Sequence, residues 1–267
     1  MSDMTFVFGQ VDALTAQLRR LSRPCVDMLK PGVSPFDVED AIAPAGTAPE
    51  DLVSMYGRHD GVDLPVGRTL GDGHVIPGYY WLPLAEAVEH YRGFDGLTEL
   101  WPTCWFPIMA DGGGGFLAVI CDPDHADWGA VVEYLPGEAE QELVFDSVSM
   151  MLATAIRCFE SGAYRVKSGY LDEDYEAAQA IAEALNSGRR EVEAGGRGKT
   201  PSMPIRPGAV GGGGGGGGGR VRCVRTSRRG PARGSPAGVT KGVRSATSIL
   251  RRPAALFALS RSDSGGA

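Results

Sequence analysis

The stretch WFPIMADGGGGFLAVICD, residues 105–122, determines the kind of fold that this chain adopts. Two apolar runs of strand length, 105–110 and 116–121, are separated by an aspartate and four glycines. Runs this short, joined by a glycine-rich turn, are typical of an antiparallel β-hairpin. Strand patterns continue on both sides of it, over 75–82 and 129–135. The middle of the chain is therefore predicted to form a sheet.

Helical patterns surround the predicted sheet. Apolar residues recur at helical spacing over 11–21. Ser34 followed by Pro35 is the pattern of an N-cap and a first helical residue, so a second helix is predicted there. Further helices are expected to begin near 47–51 and to lie within 84–91, 145–159 and 171–185. The sequence thus predicts an α+β fold, with helices packed on a mainly antiparallel sheet.

Charge divides the chain into two parts. Of the 26 Lys and Arg residues, 16 lie in residues 187–267, and of the 33 Asp and Glu residues, 3 lie there. Residues 1–186 therefore carry 10 basic against 30 acidic side chains, a net charge of −20, whereas residues 187–267 carry +13. So acidic a domain repels nucleic acid and anionic lipid, and attracts cationic partners. High negative charge can equally serve solubility alone.

Residues 187–267 are predicted to form a disordered tail. Nine consecutive glycines, 211–219, precede Arg, Pro, Ser and Ala with little periodicity, so too few apolar groups are available to offset ordering entropy. Arginines within 220–233 resemble an arm that could contact phosphates without sequence readout. A poorly constrained extension, or a segment folding back onto the acidic domain, accounts for the composition equally well.

Cysteine usage and the N-terminal composition disfavour several classes of protein. The five cysteines are far apart and form no C-x-x-C pair, so a metal cluster or a disulfide framework is not expected. Scattered histidines and the absence of a G-x-S-x-G motif predict no metal, no cofactor and no enzymatic activity. Asp3 and Asp12 stand where a secretory signal needs basic and then apolar residues, which predicts a cytoplasmic protein without membrane contact.

Four segments carry a resemblance to a known family, and their order matters more than any one of them. They are APEDLVSMYGRHDGV at 48–62, WFPIMADGGGGFLAVICD at 105–122, GAVVEYLP at 129–136 and FDSVSMMLATAIRCFESG at 145–162. A Pro-acidic-Leu helix ends in an Asp-Gly turn, and a Trp-containing strand, a glycine-rich hairpin, another strand and a closing helix follow. This succession is similar to the SMI1/KNR4 (SUKH) family and spans roughly residues 10–162.

The resemblance implies a SUKH-like domain over residues 1–186 that serves as a protein-binding module. Many bacterial relatives look like immunity proteins that neutralise a cognate toxin, so the first hypothesis is an immunity-type protein that binds a basic toxin. Fungal relatives are tied to cell-wall synthesis, which makes a regulatory scaffold the second hypothesis. A nucleic-acid-associated protein acting through the basic tail is the third.

A partner-binding surface is predicted from charge and loop position. It contains acidic residues in the expected turns and strand ends, with Trp128 as a candidate apolar centre, although core packing is the commoner role of a Trp. The predicted surface consists of Asp60, Asp63, Asp72, Asp111, Asp122, Asp124, Trp128 and Glu133. Two alternatives are weaker. The glycines at 112–115 lack the Lys and Ser/Thr of a phosphate loop, and Asp122, Asp124 and Asp127 lack the glycine and closing Glu of an EF-hand.

Overall fold

A computed structural model of the chain describes residues 3–97, 100–138, 140–187 and 190–193. In these ranges a short 3₁₀ helix spans Pro24–Met28, and seven α-helices are present: α1 Asp3–Arg20, α2 Pro35–Ile42, α3 Glu50–Arg58, α4 Leu70–Gly73, α5 Leu84–Gly93, α6 Val148–Ser161 and α7 Tyr175–Leu185. The strands are β1 Leu29–Pro31, β2 His59–Val62, β3 His74–Ile76, β4 Tyr79–Trp81, β5 Trp105–Ala110, β6 Phe116–Ile120, β7 Val131–Tyr134, β8 Glu140–Phe145, β9 Tyr164–Lys167, β10 Tyr170–Glu173 and β11 Arg190–Glu193.

Seven strands form one antiparallel sheet in the order β11-β8-β7-β6-β5-β4-β3. Apart from β11, neighbouring strands follow one another along the chain, so the sheet is a meander. The pairs β1-β2 and β9-β10 form two separate two-stranded sheets. The predicted fold class, helices on a mainly antiparallel sheet, is confirmed.

The centre of the sheet is covered on both faces. Every residue of β5 and β6 is buried, which requires packing on either side. Helix α5 packs on β5, and helices α1, α3 and α6 pack against one another. An aromatic cluster supports β5: Phe94 stacks on Trp101 with ring centroids 4.1 Å apart, and the Trp101 indole N–H donates to the Trp105 carbonyl at 2.8 Å. The predicted hairpin is thus the middle of the core.

The predicted start of helix α2 is confirmed by its cap. The Ser34 hydroxyl accepts a hydrogen bond from the Asp37 amide at 3.2 Å, and Pro35 occupies the first turn of α2. This pairing satisfies one of the amides that a helix start leaves without an intrahelical partner. The closing helix α6 begins in the same way, with Ser147 as its cap.

Three element predictions are wrong in extent. The strand predicted over 75–82 is two strands, because Pro77 and Gly78 turn the chain between β3 and β4. Phe145 ends strand β8 instead of starting the closing helix. The hairpin β9-β10 precedes α7, so the helix predicted from Leu171 begins at Tyr175.

The predicted tail lies mostly outside the described residues, which end at 193. Arg190–Glu193 nevertheless pairs its backbone with β8 in antiparallel register. The sheet therefore includes four residues beyond the domain end predicted at 186.

Candidate protein-interaction surface

The predicted surface divides between the two ends of strand β6. Asp111 precedes the glycine-rich loop that leads into β6, Asp63 lies in the loop before α4, and Asp72 lies in α4 itself. The start of α4 meets the glycine loop, because a Cβ at Gly112 would lie 2.4 Å from a methyl carbon of Leu70, the first residue of that helix. The other predicted residues that remain accessible follow β6, on the loop to β7. The eight residues therefore do not form one patch.

Two of the predicted contact residues are buried. Asp60 is 5% exposed and Glu133 is 2% exposed. Asp60 accepts the Leu84 amide at 2.7 Å and lies 2.6 Å from the Lys30 ammonium, while Glu133 accepts the Tyr79 hydroxyl at 2.7 Å. Both carboxylates hold the domain together and are not available to a partner, so placing them on the surface was wrong.

The carboxylates beside the glycine loop have internal partners. Asp111 accepts the amides of Gly113 at 2.6 Å and Gly115 at 2.8 Å. These amides are the donors that a phosphate cradle would need, so their engagement supports the hairpin interpretation of this loop. Asp72 forms a capping box with Thr69, and the hydrogen bond from the Thr69 amide lowers the pKa of its carboxyl. Asp63 alone in this group is fully on the surface.

The loop between β6 and β7 carries the exposed tryptophan. Trp128 is 43% exposed, whereas the other three tryptophans are buried. Its indole N–H donates to the Thr47 carbonyl at 3.2 Å, and the Thr47 amide donates to the backbone carbonyl of Cys121 at 2.7 Å. Asp124 is exposed on the same loop, and half-buried Asp122 accepts the Asp124 amide at 2.9 Å. We call Thr47, Asp122, Asp124 and Trp128 the loop surface.

Helix α2 presents a second acidic face that the sequence predictions missed. Phe36 is 73% exposed, and the acidic residues Asp37, Glu39 and Asp40 are exposed as well. Val38 and Ile42 are the buried residues of this helix. Their spacing of four could have revealed the outward face, because one helical turn returns to the same side.

Three thiols of the domain, those of Cys25, Cys121 and Cys158, are protonated at neutral pH. Burial raises the pKa of both Cys25 and Cys158 to about 11, and it also raises the pKa of Cys121. A thiol held in this form is a poor nucleophile and a poor metal ligand. Across the described ranges, no group of three or more His, Cys, Asp and Glu side chains is placed to hold a metal ion. Nor does any helix in those ranges have the length and apolar character to cross a membrane.

His74 should make stability depend on pH. Burial, and then the charge of Arg23, lower its pKa from 6.5 to about 4. Below pH 6.5 the unfolded chain therefore takes up a proton that the folded protein does not, and stability falls as the pH drops. Burial also raises the pKa of Asp51, which has the opposite effect on stability. Between pH 7 and pH 5, the free energy of unfolding measured by urea titration should fall by about 1 to 2 kcal/mol less in His74→Gln than in wild type. Equal losses in both proteins would contradict this assignment.

These features describe an α+β domain with an antiparallel sheet and an exposed acidic loop with an aromatic centre. Residues 38–154 of the chain match the model of the SMI1 / KNR4 family (SUKH-1). The match lies inside the region over which the sequence resemblance was recognised and confirms it. No curated protein matches the chain.

Proposed function

We propose that the protein is a non-enzymatic, immunity-type binding protein that neutralises a basic toxin by covering its active surface. The observation that carries the proposal is an exposed Trp128 on a loop that also carries Asp122 and Asp124, in a domain of net charge −20. The match of residues 38–154 to the SMI1 / KNR4 family supports the proposal, because it indicates the class of domain. A cytoplasmic location and a cationic partner are parts of the same proposal.

The loop surface suits a rigid contact. The Trp128 indole is tied to the Thr47 carbonyl, so little side-chain freedom is lost when a partner packs on its remaining face. Aromatic side chains with one polar handle are frequent hot spots of protein interfaces. Asp122 and Asp124 would attract the basic partner, because complementary charge raises the rate of encounter.

The test begins with capture of a basic protein from the source cell on the full-length chain, followed by kinetics with the purified partner. We expect Asp122→Lys/Asp124→Lys to slow association about tenfold at low salt and to weaken its salt dependence. We expect Trp128→Ala to speed dissociation about 30-fold, the effect of a hot spot of about 2 kcal/mol.

The matched control is Glu176→Lys/Glu183→Lys, which reverses two exposed charges on helix α7, outside the loop surface. If the control slowed association as much as the loop variant, net charge alone would govern binding and the surface assignment would fail. Recovery of wall-synthesis proteins in place of a toxin would favour the regulatory scaffold. Hydrolase activity that survives purification would overturn the non-enzymatic assignment.

A further inference from the structure

The arginines of the acidic domain are unevenly paired. Residues 1–186 contain ten Lys and Arg residues. Within the described part of the chain, five of them form ion pairs with carboxylates: Lys30, Arg58, Arg157, Arg165 and Lys167. Arg92 and the four arginines at positions 19, 20, 23 and 68 form none there. Residues 1–186 contain three carboxylates for every cation, yet five of the ten basic side chains form no salt bridge within the described part of the chain.

Three of these arginines line one pocket. Arg19, Arg23 and Arg68 surround a cavity of about 430 Å³, together with Ser22. Asp27 contributes the one carboxylate of the lining, and it is exposed. Guanidinium groups gathered without matching carboxylates create a positive potential that an anion would relieve.

Arg23 gives the pocket a buried charge. Arg23 is only 4% exposed, and its guanidinium donates hydrogen bonds to the carbonyls of Gly169, at 2.6 Å, and Gly71. Carbonyl oxygens accept hydrogen bonds but do not cancel the charge. Among the described residues, the Nε–H of Arg23 has no acceptor. A buried donor in this state is destabilising unless some further acceptor is supplied.

The backbone around the pocket presents few negative groups to an anion. Helix α1 ends in a Schellman motif, in which the Arg23 amide donates to the Leu18 carbonyl and the Ser22 amide to the Arg19 carbonyl, both at 2.9 Å. Two of the terminal carbonyls are thereby occupied. Ser22 takes the left-handed conformation at φ 52°, where glycine is the usual residue. Ser22 therefore places a side-chain hydroxyl at a position where glycine is usual.

Stabilisation of the helix end explains only part of this arrangement. Arg19 and Arg20 lie in the last turn of α1, where cations suit the helix dipole. Arg68 comes from a different segment, the loop before α4, and Arg23 lies beyond the helix. Asp72 is close enough for the charges of Arg68 and Arg23 to help lower the pKa of its carboxyl, but it is not among the residues that line the pocket. The helix dipole accordingly does not account for all the charges that meet at the pocket.

We propose that this pocket binds a phosphate group, with Arg19 and Arg68 contacting its oxygens and Arg23 supplying charge from beneath. Several guanidinium groups and a hydroxyl suit a doubly charged tetrahedral oxyanion better than a single carboxylate. The site lies outside the loop surface and does not depend on the proposed toxin binding.

The experiment follows the Arg23 Nε–H signal of the full-length protein by NMR during titration with sodium phosphate at constant ionic strength. We expect a saturable shift with inorganic phosphate and with O-phosphoserine, and none with acetate. Saturation by O-phosphoserine would identify a phosphate ester as an acceptable ligand, and saturation by inorganic phosphate alone would restrict the site to the free ion.

The variant Arg19→Gln/Arg68→Gln should bind about 100-fold more weakly, because each arginine contributes about tenfold. Both side chains are exposed, so its thermal midpoint without phosphate should match wild type. Arg92→Gln removes an exposed, unpaired arginine outside the pocket and should leave binding unchanged. A shift that never saturates, an equal response to acetate, or an equal loss in Arg92→Gln would overturn the proposal.

Discussion

Replacing Asp60 with alanine is expected to lower the free energy of unfolding by about 2 to 4 kcal/mol. The carboxylate accepts the amide of Leu84, the first residue of helix α5, and pairs with Lys30. Alanine would leave a buried amide without an acceptor. The effect should not exceed this range, because the Lys30 side chain is 37% exposed and can regain water when its partner is lost.

Urea titration with two comparison variants tests this assignment. Asp63→Ala removes an exposed carboxylate three residues further on and should change the unfolding free energy by less than about 0.5 kcal/mol. Asp60→Asn keeps an acceptor for Leu84 while removing the charge, so its loss should be clearly smaller than that of alanine. If asparagine and alanine were equally destabilising, the salt bridge and not the helix start would explain the role of Asp60.

Asp60 also shows what sequence patterns could not reveal. An aspartate before a glycine is typical of an exposed turn, and on that basis it was placed on the binding surface. Its hydrogen-bond partner lies 24 residues away, at the start of another helix. Glu133 is a similar case, since its partner Tyr79 is 54 residues away. Burial of an acidic side chain depends on such distant partners, and they cannot be identified from the neighbouring residues in the sequence.

Elements defined by local signals were predicted well, and those defined by pairing were not. Ser34 and Pro35 mark the start of α2 within two adjacent residues, so that start was predicted correctly. Strand β8 reads as EQELVF, polar in its first half and apolar in its second, and is held in place by β7 on one side and β11 on the other. Hairpin β9-β10 is likewise short and largely exposed. Such strands have at most a short apolar run, too brief to distinguish a strand from the start of a helix.

The candidate surface was predicted in part. Trp128 was named as its apolar centre and is the exposed tryptophan, with Asp122 and Asp124 on the same loop. The acidic face of α2 was missed because its helix was interpreted only for its caps and core. The arginine pocket joins the end of α1 to the loop before α4, and two segments some fifty residues apart in sequence cannot be assigned to one site without the fold.

Replacing Gly61 with alanine should be the most damaging single change, with a loss of about 3 to 5 kcal/mol or failure to fold. Gly61 has a φ of 69°, which alanine adopts only with strain. An added Cβ would lie 2.4 Å from the Pro83 nitrogen and 2.5 Å from the Leu82 carbonyl carbon. These are backbone atoms at the β4-α5 connection, beside the amide that Asp60 binds, so no side-chain rotation can relieve the contact.

Gly78→Ala separates the two causes, because Gly78 has a similar φ of 82° but nothing within 4 Å of an added Cβ. It should lose only about 1 kcal/mol, the cost of the backbone conformation alone. Urea titration of both variants, with circular dichroism to confirm that each is folded, measures the difference. Equal losses at the two positions would mean that backbone strain, and not the close approach of the β4-α5 connection, requires glycine at position 61, which lies in strand β2 and not in the turn predicted from the sequence.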